Sequence, residues 1–183
     1  MRRSGPEMET LPLALLAEPL EWFFAEHYRH RQACRLMEHA AGTHVFDAEL
    51  LVQLLDFVRN ELAVHVIDEE EDLFPLLRRN ALPEDDIERV LGLLSAEHRL
   101  DLNQAASLAE HLESCLNQKA APGLVPTCRD TLRAFASQEL RHLALENAVV
   151  LPIARLRLSP ADIRGLSQRL AARRGVVLDE LSP

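Results

Sequence analysis

The sequence predicts an all-α chain, an up-down-up-down four-helix bundle closed by a short C-terminal fifth helix. Three observations carry that reading. Glycine is limited to 6 residues and aromatics to 4% of the chain, while Leu, Ala and Glu abound, a composition that favours helices over sandwiches or barrels. Apolar residues recur with a period near 3.6 through four long stretches. The connections between those stretches are short, which makes successive helices antiparallel neighbours. At 183 residues roughly 70% of the unfolded chain's surface can be buried, so one core suffices without disulfide or oligomer.

Residues 1–17, interrupted by proline, read as a lead-in segment. Helix one is expected over Glu21 to Ala40, where Leu20, Phe23, Phe24, His27, Cys34 and Met37 share a face, and Gly42 and Thr43 break it. Asp47 can cap helix two, whose periodic Leu50, Leu51, Leu54, Val58, Leu62, His65, Leu73 and Leu76 run to about Asn80. Pro75 is expected to bend or end its last turns. Pro83 with Glu84, Asp85 and Asp86 reads as the first turn of helix three, which continues through Leu91, His98 and Leu112 and stops before Pro122 and Gly123. Helix four runs from about Pro126 through Phe135, His142 and Val149 to Ile153, with Pro152 near its end. Ser159, Pro160 and Asp162 open the fifth helix, and Arg173, Arg174 and Gly175 close it. The bundle domain is thus residues 18–158, followed by a helix and tail over 159–183.

A net charge of -9 leaves no basic field for a phosphate backbone, so nucleic acid is excluded as an expected partner. Acidic membrane surfaces are excluded on the same ground. The longest apolar run, around Leu11 to Ala17, falls short of the ~18 residues a spanning helix needs. Arg2 and Arg3 precede that run, but Glu7, Glu9, Glu18 and Glu21 do not suit a signal peptide, and a cytoplasmic protein is expected. Cys34, Cys115 and Cys128 form no CxxC pair and read as small buried apolar residues.

Four of the eight histidines fall among core positions, one on each long helix: His27, His65, His98 and His142. Glu69 follows His65 and Glu146 follows His142 at i+4, one turn along the same face. The order repeats. Glu26-His27 precedes His65-x3-Glu69-x5-Pro75, and Glu97-His98 precedes His142-x3-Glu146-x5-Pro152, the two histidines lying 38 and 44 residues apart. An antiparallel bundle would bring four imidazoles and two carboxylates to one level with approximate two-fold symmetry. Such a cage is a metal site. With both glutamates bridging and an oxo or hydroxo bridge, the ligands fill about ten of the twelve positions of two octahedral ions, leaving about one open on each. Nitrogen and carboxylate ligands without thiolate suit Fe or Mn, and Zn less well.

This set, with the run His65-Val66-Ile67-Asp68-Glu69-Glu70-Glu71-Asp72-Leu73-Phe74-Pro75 and with His142-Leu143-Ala144-Leu145-Glu146-Asn147 ahead of Leu151-Pro152, resembles the hemerythrin-like HHE cation-binding domain over about residues 18 to 158. The resemblance implies a non-haem, carboxylate-bridged diiron centre, with His27, His65, His98 and His142 as terminal ligands and Glu69 and Glu146 as bridges. Oxygen-carrying hemerythrins add an HxxxH pair on the third helix and a His and Asp motif on the fourth. Here Leu102 follows His98 at i+4 and Glu146 holds the carboxylate position, so reversible oxygen transport is not implied. The arrangement looks instead like the diiron domain of proteins that repair iron centres. Those proteins carry a small cysteine-bearing N-terminal domain that the stretch before helix one is too short to supply, and repair itself is not carried over.

His27 and His30 lie three apart and both could face the core; the parallel with Glu97-His98 favours His27 as ligand and leaves His30 as its support or substitute. Glu70 and Glu139 are candidates to orient a ligand from behind. His39 and His44 read as solvated, His111 with Cys115 as structural, and the pairs Arg78-Arg79 and Arg173-Arg174 as compensation for helix dipoles. The expected function is binding of dioxygen, nitric oxide or peroxide at two irons, in sensing, stress defence or iron handling. The rivals are an enzyme turning over at the same centre and a metal-free helical interaction module.

Overall fold

A computed structural model describes residues 8–178 and contains, among them, helices and no strand. Four long antiparallel helices form the bundle: α1 (Pro19–Gly42), α2 (residues 48–80), α3 (Ile87–Gln118) and α4 (residues 126–157). The fifth, α5 (Pro160–Arg173), follows, and a 3-10 turn at Leu13–Ala17 precedes α1. Among the described residues no helix is long and apolar enough to cross a membrane.

Sequence dictates most boundaries directly. Pro19, Pro126 and Pro160 stand at first-turn positions, where a missing N–H costs nothing. The Asp47 carboxylate accepts from Leu50 N–H at 3.0 Å, and Ser159 and Asp162 form a reciprocal capping box. Gly175, at φ 66, closes α5 by letting Val176 N–H reach back to Ala171 O at 2.9 Å.

One expectation is corrected and another is settled between its alternatives. The acids at 84–86 do not begin α3. Pro83–Asp85 is a separate 3-10 turn, Asp86 is left-handed at φ 46, and Asp85 is drawn into two bonds from Arg157 of α4 at 2.8 and 2.9 Å. Pro75, expected to bend or end α2, does not end it, and Pro152 lies near the end of α4 as expected without terminating it. An interior proline removes an N–H and collides with the carbonyl four residues back. Here the turn ahead of each proline widens to π geometry, at Asp68–Leu73 and Glu146–Val150. Phe74 N–H bonds Glu69 O, Leu151 N–H bonds Glu146 O, and both helices continue beyond the proline.

The core is split into two apolar clusters with a polar layer between them. One contains Met37, Leu51, Leu54, Phe57, Leu112 and Phe135, together with the buried free cysteines Cys34, Cys115 and Cys128. The other contains Phe23, Leu73, Phe74, Leu91, Val150 and Leu151, and takes in Leu16 from the 3-10 turn and Leu166 and Leu170 from α5. Helices α1 and α3 run from the second cluster to the first, and α2 and α4 return. All four therefore cross the polar layer at mid-length, where Glu26, His27, His30, His65, Glu69, His98, Asp101, Glu139, His142 and Glu146 are all buried.

At the first cluster's end, the loop from α3 to α4 presses against the C-terminus of α1. A Cβ on Gly123 would stand 2.1 Å from Thr43 O and 3.1 Å from Ala41 O, so backbone must move to admit it. Gly123→Ala is expected to cost about 1–3 kcal/mol. A lower urea midpoint at unchanged slope would show this, and an unaltered midpoint would refute the close approach.

Candidate metal centre

Each long helix presents one imidazole to the middle of the polar layer, and α2 and α4 each add a carboxylate one turn on. Glu69 and Glu146, both fully buried, occupy the middle. His27 Nε2 lies 3.6 Å from Glu69 Oε1 and 3.4 Å from Glu146 Oε2. His65 Nε2 is 3.5 Å and His98 Nε2 3.1 Å from Glu69 Oε2, while His142 Nε2 is 2.9 Å from Glu146 Oε1. The side chains form two groups, His27, His65, Glu69 and Glu146, and Glu69, His98, His142 and Glu146. Within each group the ligand atoms lie within 4.8 Å of one another, and both groups contain both glutamates.

The other imidazole nitrogens are all engaged. His65 Nδ1 lies 3.2 Å from Glu26, His142 Nδ1 2.9 Å from Glu97, His98 Nδ1 2.7 Å from Glu70, and His27 Nδ1 3.0 Å from Asn147 Oδ1. Donation of Nδ1–H to these oxygens selects the tautomer whose Nε2 lone pair faces the shared carboxylates. These contacts obey the pseudo-two-fold of the chain. Glu26, before the histidine of α1, serves α2, and Glu97, before the histidine of α3, serves α4. Glu70 and Asn147, each following a central glutamate, serve α3 and α1.

Most of the inward-facing atoms have no hydrogen-bond partner. His27 Nε2, His65 Nε2, His98 Nε2 and both oxygens of Glu69 and Glu146 are buried and unsatisfied. Leaving so many buried polar atoms unpaired would be strongly destabilising, whereas they are the lone pairs a cation needs. The donor set fits a metal site without thiolate, three buried cysteines being confined to the first apolar cluster.

The remaining polar residues of the layer face elsewhere. His30 Nδ1 bonds Glu139 at 2.7 Å, and its ring packs edge-on to Phe57 and His65; it belongs to neither ligand group. Burial pushes His30 down, while burial of Glu139 is outweighed by that same bond, which holds its carboxyl low: a neutral imidazole donates to an ionised carboxylate. Glu139, a sequence candidate for orienting a ligand, thus supports His30 and makes no bond to His142. Asp101, one turn after His98, accepts from Gln138 at 2.5 Å and is pushed up to about 6 by burial. Glu26, Glu97 and Asn147 had no assigned role in the sequence, although the repeated Glu-His dipeptide and the residue after each HxxxE were visible.

Arg174 donates to Leu170 O at 3.1 Å, as compensation for the C-terminus of α5 requires, but both Arg173 and Arg174 also answer acids elsewhere in the bundle. Both bond the fully buried Asp68 of α2, Arg174 at 2.6 Å, and Arg173 also reaches Asp72 at 2.8 Å. Arg174 further donates to Glu26 at 2.8 Å and lies over the Trp22 ring. Arg78 and Arg79 likewise pair with acids, Glu88 and Asp162.

A family model, the hemerythrin HHE cation binding domain, matches residues 18–154, the span holding all six inward-facing His and Glu side chains and their partners. The chain belongs to that family. No curated protein and no solved structure matches it. The HHE domain is a cation-binding one, and its two His and Glu groups are where a cation fits.

In the metal-free domain protons take the cation's place. Burial alone would lower His65 and His142, but Glu69 with Glu26 raises the first to about 10, and Glu146 with Glu139 raises the second to about 11. Both exceed the 6.5 of an unfolded histidine, so their stabilising effect is full below pH 6.5 and lost as pH climbs toward 10. The metal-free Tm is expected to fall between pH 7 and 10. Metal binding at pH 7 should release close to two protons and strengthen as pH rises. Calorimetry in two buffers of different ionisation heat measures the release; a flat Tm with no release would contradict the assignment.

Proposed function

We propose that the HHE domain holds two iron ions bridged by Glu69 and Glu146, one ligated by His27 and His65 and the other by His98 and His142, and binds dioxygen, nitric oxide or peroxide at the positions the protein leaves open. The observation that carries this reading is the sharing of both glutamates by the two ligand groups. A single four-coordinate ion would leave ligands redundant. Imidazole and carboxylate donors favour iron or manganese over zinc, and iron supplies the redox chemistry toward oxygen and nitrogen oxides. The chain's own residues hold the ligands in one tautomer and exclude bulk water by two apolar clusters. The role that fits is sensing, stress defence or iron handling in the cytoplasm.

Turnover at the same centre is a second reading, and one observation favours it. The His30–Glu139 pair and Asp101 are buried, ionisable, close to the ligands and members of neither group, as proton handling would require. Continued consumption of nitric oxide or peroxide under reductant would distinguish it from stoichiometric binding.

Protein purified from iron-supplemented cells without chelator is expected to carry about two irons per chain, with visible absorption that bleaches on reduction. Glu69→Ala or Glu146→Ala should release both ions together, while His30→Ala should retain about two. Colourless protein whose Tm ignores both iron and chelator would support the interaction module instead.

A further inference from the structure

The two halves of the centre match in their inward ligands and differ in what stands behind them. Behind His98 and His142 are two carboxylates, Glu70 at 2.7 Å and Glu97 at 2.9 Å. Among the described residues neither is paired with an arginine or lysine. Ser95 donates to the second oxygen of Glu70 at 2.9 Å, a neutral contact that leaves the charge in place. Asp101, one turn after His98, is a further acid on this side. Behind His27, by contrast, stands the neutral amide of Asn147 at 3.0 Å. Behind His65 stands Glu26 at 3.2 Å, but its other oxygen accepts from Arg174 at 2.8 Å. That guanidinium is held between Asp68 and the Trp22 ring and is mostly buried. The pseudo-two-fold pairs Asn147 with Glu70 and Glu26 with Glu97. It is broken twice in the same sense, once by an amide in place of a carboxylate and once by a cation set against one.

We propose that these outer residues make the two ion positions unequal: the His98 and His142 half takes the first cation and holds it more tightly, and the His27 and His65 half takes the second and releases it first. The inference rests on the two-ion reading above. A carboxylate accepting Nδ1–H makes the opposite nitrogen a better donor to a cation, and its charge attracts the cation through a poorly screened interior. An amide does the first weakly and the second not at all. Arg174 keeps Glu26 aimed at His65 while opposing the incoming charge.

Two steps of binding would not by themselves show this, because an ion already held by Glu69 and Glu146 repels the next in any such centre. What decides is which step each substitution moves. The experiment is calorimetric titration of Fe(II) under argon into the metal-free full chain and two variants. Asn147→Asp places a carboxylate behind His27, and Glu70→Gln keeps a hydrogen-bond acceptor behind His98 but removes its charge. With unequal halves, Asn147→Asp strengthens the second step about tenfold and leaves the first, and Glu70→Gln weakens the first about tenfold and leaves the second. With equal halves the assignment reverses, since the first ion enters whichever half is better: Asn147→Asp then strengthens the first step and Glu70→Gln weakens the second. That reversal, or a failure of both variants to move either step, overturns the inference and spares the two-ion reading. Absence of any Fe(II) binding overturns both. The variants act in opposite directions on different steps, which a general loss of structure cannot imitate.

Discussion

The rest of the structure depends on one constraint, the burial of two carboxylates and four imidazoles at the middle of an otherwise apolar bundle. Glu69 and Glu146 are wholly enclosed, and none of their four oxygens has a hydrogen-bond partner. A carboxylate transferred from water to such surroundings is too costly to survive unless a cation or protons answer its charge. The bundle is organised around that demand. Its apolar side chains are divided into two clusters that close the layer from either end, and α5 with the 3-10 turn before α1 enlarges the second of them. Because the layer is crossed by every long helix, losing the cation site weakens the contact among all four at once.

Proline and glutamate work together in α2 and α4. The spacing Glu-x5-Pro puts the residue that cannot continue an ordinary helix nearly two turns beyond the residue that must point inward. The widened turn absorbs the proline's clash and contains the glutamate, beginning at Glu146 in α4 and one residue before Glu69 in α2, so the same local distortion that rescues the helix also bears on the angle of the central carboxylate. That the distortion occurs at matching places in both halves ties the pseudo-symmetry of the centre to backbone geometry as well as to ligand identity.

The sequence shows clearly what depends on one helix at a time. His65 with Glu69 and His142 with Glu146 are legible because i and i+4 must share a face, and the bundle order is legible because short connections force antiparallel neighbours. Contacts between helices are not legible in the same way. Nothing in the chain's local pattern says that Glu26 turns toward His65 and not toward its neighbour His27, or that Glu139 reaches His30 on α1 in preference to His142 on its own helix. Those choices are set by how each helix is rotated about its axis, which only packing decides. Arg173 and Arg174 were read only in part for a related reason. A helix C-terminus is ordinarily an adequate partner for a cation, but buried Asp68 and Asp72 on a helix distant in sequence are stronger ones. The start of α3 was misplaced because Asp85 finds Arg157 across the bundle, a competitor that capping rules do not include.

These cross-helix contacts also explain how so acidic a layer is kept from repelling itself apart. Glu26, Asp68 and Asp72 gather where α1 and α2 approach α5, and the arginines at 169, 173 and 174 stand against them as one network. A buried ion network of this kind contributes little net stability on its own, since desolvation offsets much of the attraction. Its consequence is positional. Asp68 and Asp72 are each held by two of these guanidinia and Glu26 by Arg174, so the acids hold α5 in a single register and α5 holds Glu26 in a single orientation. The C-terminal helix is thereby continuous with the centre: its last turn determines which oxygen of Glu26 is free to accept the proton of His65, and through that hydrogen bond it reaches the nitrogen that faces the cation.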